Sequence, residues 1–440
     1  MRIAVFENLA NSAYIVTKVL RQHGQDAELV LDPVDRHVMS DPRWEDLDIE
    51  LPTDQLAESR LPDAELPEWI RFRPGTLTDR PATPTGRIER IARALPKAPG
   101  MARELRLATR VAGWRGARMV LDREWVVRTL SRYDCVIAYG MGPAWAAFAD
   151  VPYLAETWGG DITMLPFYDT GDWEGHETVP LPGPKAELSA QARLQRLGYR
   201  RAGRVLLTDP RFDPFAERLG ISGKSVHMGF FIDTEKYAPG PEPELREELL
   251  GGRAGPLVFM PSRQDWYWKG SDRLLRGFAA AAERRDGAVL VCPGWGADLE
   301  RSRELIAELG IGERVRLLGS AMSKGRLRRF YRAADIVADQ FTVGSYGGSA
   351  LEAMSCARPL LISLDRERFA GRFDTFPPVV NVAEPEEIAA ALERLFADDA
   401  HRARVGAEAR DWVVANHGPP LVQRTLDLCA AVIAERAGRR

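Results

Sequence analysis

The sequence predicts an α/β protein made of two doubly wound, parallel-sheet domains. Three observations lead there. Short β-branched runs alternate with helical stretches along the chain, a Pro/Gly-rich break divides that alternation, and 440 residues suggest two or three domains rather than one core. Hydrophobic residues make up 45% and charged residues 28%, the balance of a soluble globular protein. The net charge of −3 provides no overall attraction to nucleic acid.

In the first half, Met1–Phe6 reads as a strand, Ser12–His23 as a helix ended by Gly24, and Ala27–Leu31 as the next strand. Cys135–Tyr139, Tyr153–Glu156 and Val205–Thr208 repeat the strand theme. After Gly255 the alternation sharpens. Leu257–Met260, Ala288–Cys292, Val315–Leu318, Ile336–Ala338 and Pro359–Ser363 are expected strands, separated by helices at 271–284, 297–309, 323–333 and 349–356. Clustered Pro and Gly in Tyr237-Ala-Pro-Gly-Pro-Glu-Pro243 cannot continue a helix or a central strand. The expected domains are therefore 1–238 and 239–418, and a helix at 419–440 follows the break Gly418-Pro-Pro420.

Two stretches of the first half depart from the pattern. Residues 32–68 are acidic and Pro-rich, and read as a long loop or insertion. Residues 86–118 hold nine Lys/Arg against Glu89 and Glu104, interleaved with Leu95, Met101, Leu105, Leu107 and Val111. That segment reads either as a solvated helix face or as a docking surface for anionic lipid or an anionic acceptor. Four dispersed cysteines form no CxxC pair, and the six histidines show no metal spacing, so no metal and no disulfide framework is expected. Met1-Arg-Ile-Ala-Val-Phe6 enters a strand directly, without the pattern of a signal peptide, and no run of about twenty apolar residues occurs. The expected location is cytoplasmic, with peripheral contact at the inner membrane face through 86–118.

Two segments carry chemistry. Pro261-Ser-Arg263-Gln-Asp-Trp-Tyr-Trp-Lys269-Gly270 follows an expected buried strand, at the carboxyl end where doubly wound sheets bind ligands. Arg263 and Lys269 there can neutralise a diphosphate. Gly344-Ser-Tyr-Gly347-Gly348-Ser349-Ala-Leu-Glu352 opens a helix, so backbone N–H groups and the positive helix end can face an anion. Glu352 is expected in the first helical turn, where it could accept bonds from sugar hydroxyls. Ser349 and Glu352 also have the spacing of a capping box.

In their order, these segments resemble a known family. Arg263 with Lys269-Gly270, Val315-Arg-Leu-Leu-Gly319, Tyr331-Arg-Ala-Ala-Asp335 and Gly347-Gly348 with Leu351-Glu352-Ala-Met look like the donor-binding domain of retaining glycosyltransferases of family 4. Asp233-Thr-Glu-Lys-Tyr237-Ala-Pro is similar to the family's entry into its second domain, and the resemblance spans most of 225–365. It implies a GT-B fold of two facing Rossmann-like domains, with the C-terminal helix crossing back to the first. By the same resemblance, Arg263 and Lys269 bind the donor diphosphate and stabilise the leaving group. Gly347, Gly348 and Ser349 meet phosphate or sugar, and Glu352 holds the ribose.

The implied activity is metal-independent transfer of a hexose, with retention, from a nucleotide sugar to a hydroxyl. UDP is expected ahead of GDP, and no cofactor is expected. The acceptor would be a glycan, a lipid-linked sugar or a small molecule, in polysaccharide or glycoconjugate biosynthesis.

The chain departs from the family at two places. Gly344 stands where a sugar-contacting glutamate is usual, with Asp339 the nearest acidic substitute and Gln340 beside it. Trp158 stands where a histidine is usual, followed by Gly160 and Asp161, the latter a contact to donor or acceptor or a helix N-cap. Asn11, in the loop after the first strand, is expected to face the cleft.

A nicotinamide dehydrogenase would need glycines in Glu7-Asn-Leu-Ala-Asn-Ser12, which has none. Asp46-Leu-Asp48 matches a metal-binding D-x-D but has no flanking strand. A nucleotide-sugar epimerase of the same fold and a non-catalytic nucleotide-sugar-binding subunit are the competing readings.

Overall fold

The computed structural model describes residues 1–32, 38–53, 61, 65–73, 101–171 and 183–438. In chain order the strands are β1 Arg2–Phe6, β2 Asp26–Leu31, β3 Glu50–Pro52, β4 Ile70–Phe72, β5 Cys135–Ala138, β6 Tyr153–Glu156, β7 Arg204–Leu207, β8 Ser225–His227 and β9 Leu257–Phe259. They continue with β10 Val289–Pro293, β11 Val315–Leu318, β12 Ser320–Met322, β13 Ile336–Ala338, β14 Leu360–Ile362 and β15 Val380–Asn381. The chain divides into two compact units, one from residues 1–36, 65–229 and 422–440, the other from 37–64 and 230–421.

The first unit is built on a seven-stranded sheet of order β4-β2-β1-β5-β6-β7-β8, every neighbouring pair parallel. Its central strands are mostly apolar and buried, with Arg2 and Glu156 at strand ends, as strands covered by helices on both faces must be. The order reverses between β1 and β5, which makes the loops after those strands the ligand crevice expected of such a sheet. The last helix, Pro420–Ala437, joins this unit from Val422 onward. Glu435 accepts from Arg204 at 3.1 Å, and Arg436 donates to the Asp150 carbonyl at 2.7 Å.

The second unit carries a six-stranded parallel sheet of order β11-β10-β9-β13-β14-β15. Here the reversal falls between β9 and β13. Helix Ser271–Glu283 buries Leu274, Leu275 and Phe278 against Ile388 and Leu392 of helix Pro385–Ala397 on one side of the core.

Two expectations are corrected. The first unit ends at Gly229, nine residues before the expected boundary at 238. The reason is local: Ile232 N–H donates to the His417 carbonyl at 3.0 Å, and the His417 ring bonds the Phe230 carbonyl at 2.9 Å, so the chain is fastened to the second unit before it reaches the prolines. The stretch 32–68, expected with the first domain, supplies residues 38–53 to the second unit, where β3 pairs antiparallel with β12. Of the basic stretch, 86–100 lies outside the described residues, and 101–118 falls on helix Ala102–Asp122, interrupted at Gly113 with φ +66°.

Candidate functional site

Both segments singled out by their chemistry lie at the β9/β13 reversal of the second unit. The loop after β9 is organised by Asp265, whose side chain is 8% exposed. One carboxylate oxygen of Asp265 accepts the Trp268 N–H at 2.8 Å, and the other accepts Nε and Nη2 of Arg263 at 3.1 and 2.7 Å. Arg263 is thus held by a fork-to-carboxylate pair while its side chain keeps 39% exposure. Lys269 closes the same loop, its N–H donating to the Asp265 carbonyl at 2.9 Å.

The loop after β13 is joined to the first through side chains. Lys269 Nζ donates to Gln340 Oε1 at 3.2 Å, and the Gln340 amide nitrogen donates to the Ser345 carbonyl. Asp339, 2% exposed, accepts the Ser262 hydroxyl, so the acidic residue nearest to Gly344 in sequence is bonded within the protein. Gly344 has φ +72°, in the left-handed region, and a Cβ there would stand 3.3 Å from Asp365 Cβ. Glycine is the residue type that takes this conformation without strain.

Tyr346 anchors the glycine loop. It is 6% exposed, packs edge-on against Phe230, Trp412 and His417, and reaches His417 Nε2 with its hydroxyl at 3.2 Å. Burial holds His417 down to about 4, partly opposed by its bond to the Phe230 carbonyl, so the ring is neutral and accepts from Tyr346.

Helix Gly348–Ser355 then begins with Gly347 as N-cap and no side chain capping it. A Cβ at Gly347 would meet nothing within 4 Å, so this helix end has open space before it. The capping box that the spacing of Ser349 and Glu352 would allow is absent. Because the helix starts at Gly348, Glu352 lies beyond the first turn, and its carboxylate points to Lys324 Nζ at 2.5 Å and the Tyr331 hydroxyl at 3.1 Å. Lys324 and Tyr331 were not singled out as site residues in the sequence; Lys324 sits in a helix that also carries Arg326, Arg328, Arg329 and Arg332, and no local pattern sets it apart from them.

The second cluster lies in the first unit. Glu7, Ala10 and Asn11 after β1 all have positive φ, at 64°, 48° and 62°. Such strain in three non-glycine residues of one loop marks a built feature. Asn11, 1% exposed, accepts from Asn8 at 2.6 Å. Glu7 accepts the Met141 N–H of the loop after β5 at 2.8 Å, and burial pushes its carboxyl up to about 8, so it is largely protonated at neutral pH. Glu156 at the end of β6 accepts the Tyr139 hydroxyl at 2.7 Å and is pushed up by burial to about 7.

Trp158 and Gly160 flank Gly159 in the turn after β6. Asp161 accepts the N–H groups of Trp158 and Gly159 at 3.0 and 2.7 Å, and the Tyr199 hydroxyl at 3.2 Å. Burial raises its carboxyl. Asp161 fastens this turn, and the N-cap of the short helix is Gly159.

Among the described residues no group of three His, Cys, Asp or Glu is placed to hold a metal. Asp46 and Asp48 face cations, Lys236 at 3.6 Å and Arg329 at 3.2 Å. Among the same residues no helix is long and apolar enough to cross a membrane.

Residues 242–412 match the family model described as Glycosyl transferases group 1, which covers most of the second unit. The D-inositol 3-phosphate glycosyltransferase of Mycolicibacterium gilvum is 32% identical over 230 residues, covering 49% of this chain and 50% of that one. A GDP-mannose-dependent alpha-(1-6)-phosphatidylinositol monomannoside mannosyltransferase of Mycolicibacterium smegmatis is 27% identical, over 46% of this chain and 55% of that one. The chain thus spans about half the length of the curated relatives it matches. Among solved structures, Anabaena HepE in complex with UDP and glucose superposes with a TM-score of 0.60 at 13% identity, covering 98% of this chain and 99% of that one. Sucrose-phosphate synthase from Thermosynechococcus elongatus gives 0.58 at 16%, covering 99% and 100%. The fold is that of the GT-B glycosyltransferases.

Proposed function

We propose that this protein is a glycosyltransferase that takes a hexose from a nucleoside-diphosphate sugar and passes it to a hydroxyl acceptor. One observation carries the reading. Arg263 and Lys269 are brought to the carboxyl end of β9, and Gln340 ties Lys269 to the glycine loop that opens helix Gly348–Ser355. Two cations and an uncapped helix end converge where charge grows on a departing diphosphate. Glu352 receives the ribose, and the loop Gly347-Gly348-Ser349 faces phosphate or sugar. Neutralisation by protein groups makes the reaction metal-independent, with no cofactor beyond the donor.

Retention of configuration and UDP ahead of GDP complete the reading. The UDP complexes of HepE support UDP, and the GDP-mannose-dependent relative keeps GDP in view. The acceptor class is a glycan, a lipid-linked sugar or a small molecule, in polysaccharide or glycoconjugate assembly on the cytoplasmic side. Helix Ala102–Asp122 supports contact with an anionic membrane face, since it carries Arg103, Arg106, Arg110, Arg115 and Arg118 beside Trp114, which is 57% exposed. Co-sedimentation with anionic but not neutral vesicles, weakened by Trp114→Ala, is the expected behaviour.

The test of activity is incubation with UDP- and GDP-hexoses, with and without an acceptor panel, followed by mass spectrometry and by NMR of the anomeric centre. Release of nucleoside diphosphate with an α-linked product from an α-linked donor supports the reading. Tight nucleotide binding without hydrolysis or transfer would instead identify a binding subunit, and an interconverted free nucleotide sugar would identify an epimerase.

A further inference from the structure

Residues 38–53 leave the first half of the sequence to become part of the second unit, and what they touch there is specific. Ser323, the N-cap of helix Lys324–Ala333, donates its hydroxyl to the Leu47 carbonyl at 2.6 Å and accepts the Ile49 N–H at 2.9 Å. Its own N–H donates to the Ile49 carbonyl at 3.0 Å. Immediately before it, β12 pairs with β3, and Ala321 is buried with Val38, Trp44 and Leu61. Immediately after Lys324, Gly325 lies so close to the segment that a Cβ would stand 2.3 Å from the Leu47 carbonyl oxygen. Glu45, 1% exposed, accepts Lys236 Nζ at 2.6 Å, and Arg326 reaches Glu50 at 3.0 Å. Apart from the contact of Glu45 with Lys236, these contacts meet at the first turn of helix Lys324–Ala333.

Lys324 is the first residue of that turn, and its ammonium is the cation on the Glu352 carboxylate, itself 2% exposed. A carboxylate this buried must be paired and hydrogen-bonded to offset the cost of leaving water. Burial acts to discharge Lys324, but Glu352 and Glu45 outweigh it and hold the ammonium above its ordinary range, with Asp339 adding to the effect. Tyr331 takes the other carboxylate oxygen, so both oxygens are aimed, and each retains lone pairs for further donors.

We propose that residues 38–53 are a working part of the donor site, fixing Lys324 as a positioning residue that holds the Glu352 carboxylate ready for the ribose hydroxyls of the donor nucleotide. This rests on the reading of Glu352 as the ribose-binding residue. The consequence is that the donor half is not contained in 230–421 alone, and that damage to 41–52 changes nucleotide selectivity rather than only stability.

The experiment is calorimetric titration of the full chain with UDP, GDP and their 2′,3′-dideoxy forms. The wild type is expected to prefer the ribose form by roughly ten- to a hundredfold, the range for hydrogen bonds to a charged group. Lys324→Met is expected to erase that preference while leaving the dideoxy affinity within about threefold. Ser323→Ala and Gly325→Ala should reduce the preference in the same direction. The double variant Lys324→Met/Glu352→Gln removes the unpaired buried charge, so the measurement survives if Lys324→Met alone unfolds. If the wild type binds the dideoxy forms equally well, the ribose reading itself fails. If the wild type discriminates and Lys324→Met, or the double variant relative to Glu352→Gln with Lys324 intact, still discriminates as strongly, the positioning role is wrong.

Discussion

Lys269 and Gln340 meet at 3.2 Å, and through the second end of the Gln340 amide the ammonium is coupled to the Ser345 carbonyl of the glycine loop. One neutral side chain thus sets the position of a cation and of a backbone loop together. Loss of a single hydrogen bond of this kind is worth about 1–1.5 kcal/mol. Gln340→Ala is therefore expected to lower kcat/KM by about tenfold, and Gln340→Glu to hold Lys269 while losing the loop contact. Steady-state kinetics on both variants distinguish a positioning amide, where both fall, from a bystander, where neither does.

Gly344 is required by the backbone it sits on. At φ +72° a side chain costs about 1–2 kcal/mol, and Asp365 crowds the Cβ position. Gly344→Glu is expected to destabilise the protein by about that amount and to lower activity. Denaturant unfolding and donor turnover check both. A variant of wild-type stability with improved turnover would contradict the loop geometry.

His417 is neutral in the fold at about 4 against an ordinary 6.5, so the unfolded state takes up a proton that the folded state resists. Its contribution is present above pH 6.5 and is lost as pH falls from there toward 4, by up to about 3 kcal/mol. Hydrogen exchange in helix Asp399–His417, corrected for intrinsic rates, should show protection falling over that window. His417→Gln should flatten the dependence at some cost to the Tyr346 contact.

Glu156 has the opposite sign. Its folded carboxyl is raised to about 7 from 4.5, so the folded state binds the extra proton and stability falls as pH rises from about 4.5 to 7. Glu156→Gln keeps the shape and the Tyr139 partner without a titrating proton, and is expected to remove that slope, worth up to about 3 kcal/mol. Unfolding free energies at pH 5 and 8 for the two proteins make the comparison.

Much of the second unit was legible because its central strands are apolar and buried, and glycine or proline punctuates the ends of its helices. The strands expected at 257–260, 315–318 and 336–338 are β9, β11 and β13 to within a residue. What was hidden has physical causes. β3 and β12 are three residues long and hold no β-branched residue, so pairing and not propensity makes them strands. The reassignment of 38–53 depends on contacts to Ser323 and Lys236, some 190 to 276 residues away in sequence, which no local pattern encodes. Lys324 was invisible for the same reason, whereas Arg263, Lys269 and the glycine loop announced themselves by composition at strand ends.

The central claim is that Arg263 and Lys269 hold the donor diphosphate, and calorimetric titration of UDP and GDP against uridine and guanosine tests it most directly. The wild type should bind at least one diphosphate much more tightly than its nucleoside. Arg263→Ala and Lys269→Ala should each lose about 10²-fold in diphosphate affinity, roughly 2.7 kcal/mol, with nucleoside binding unchanged. Diphosphate affinity that survives both substitutions would place the anion elsewhere and contradict the account.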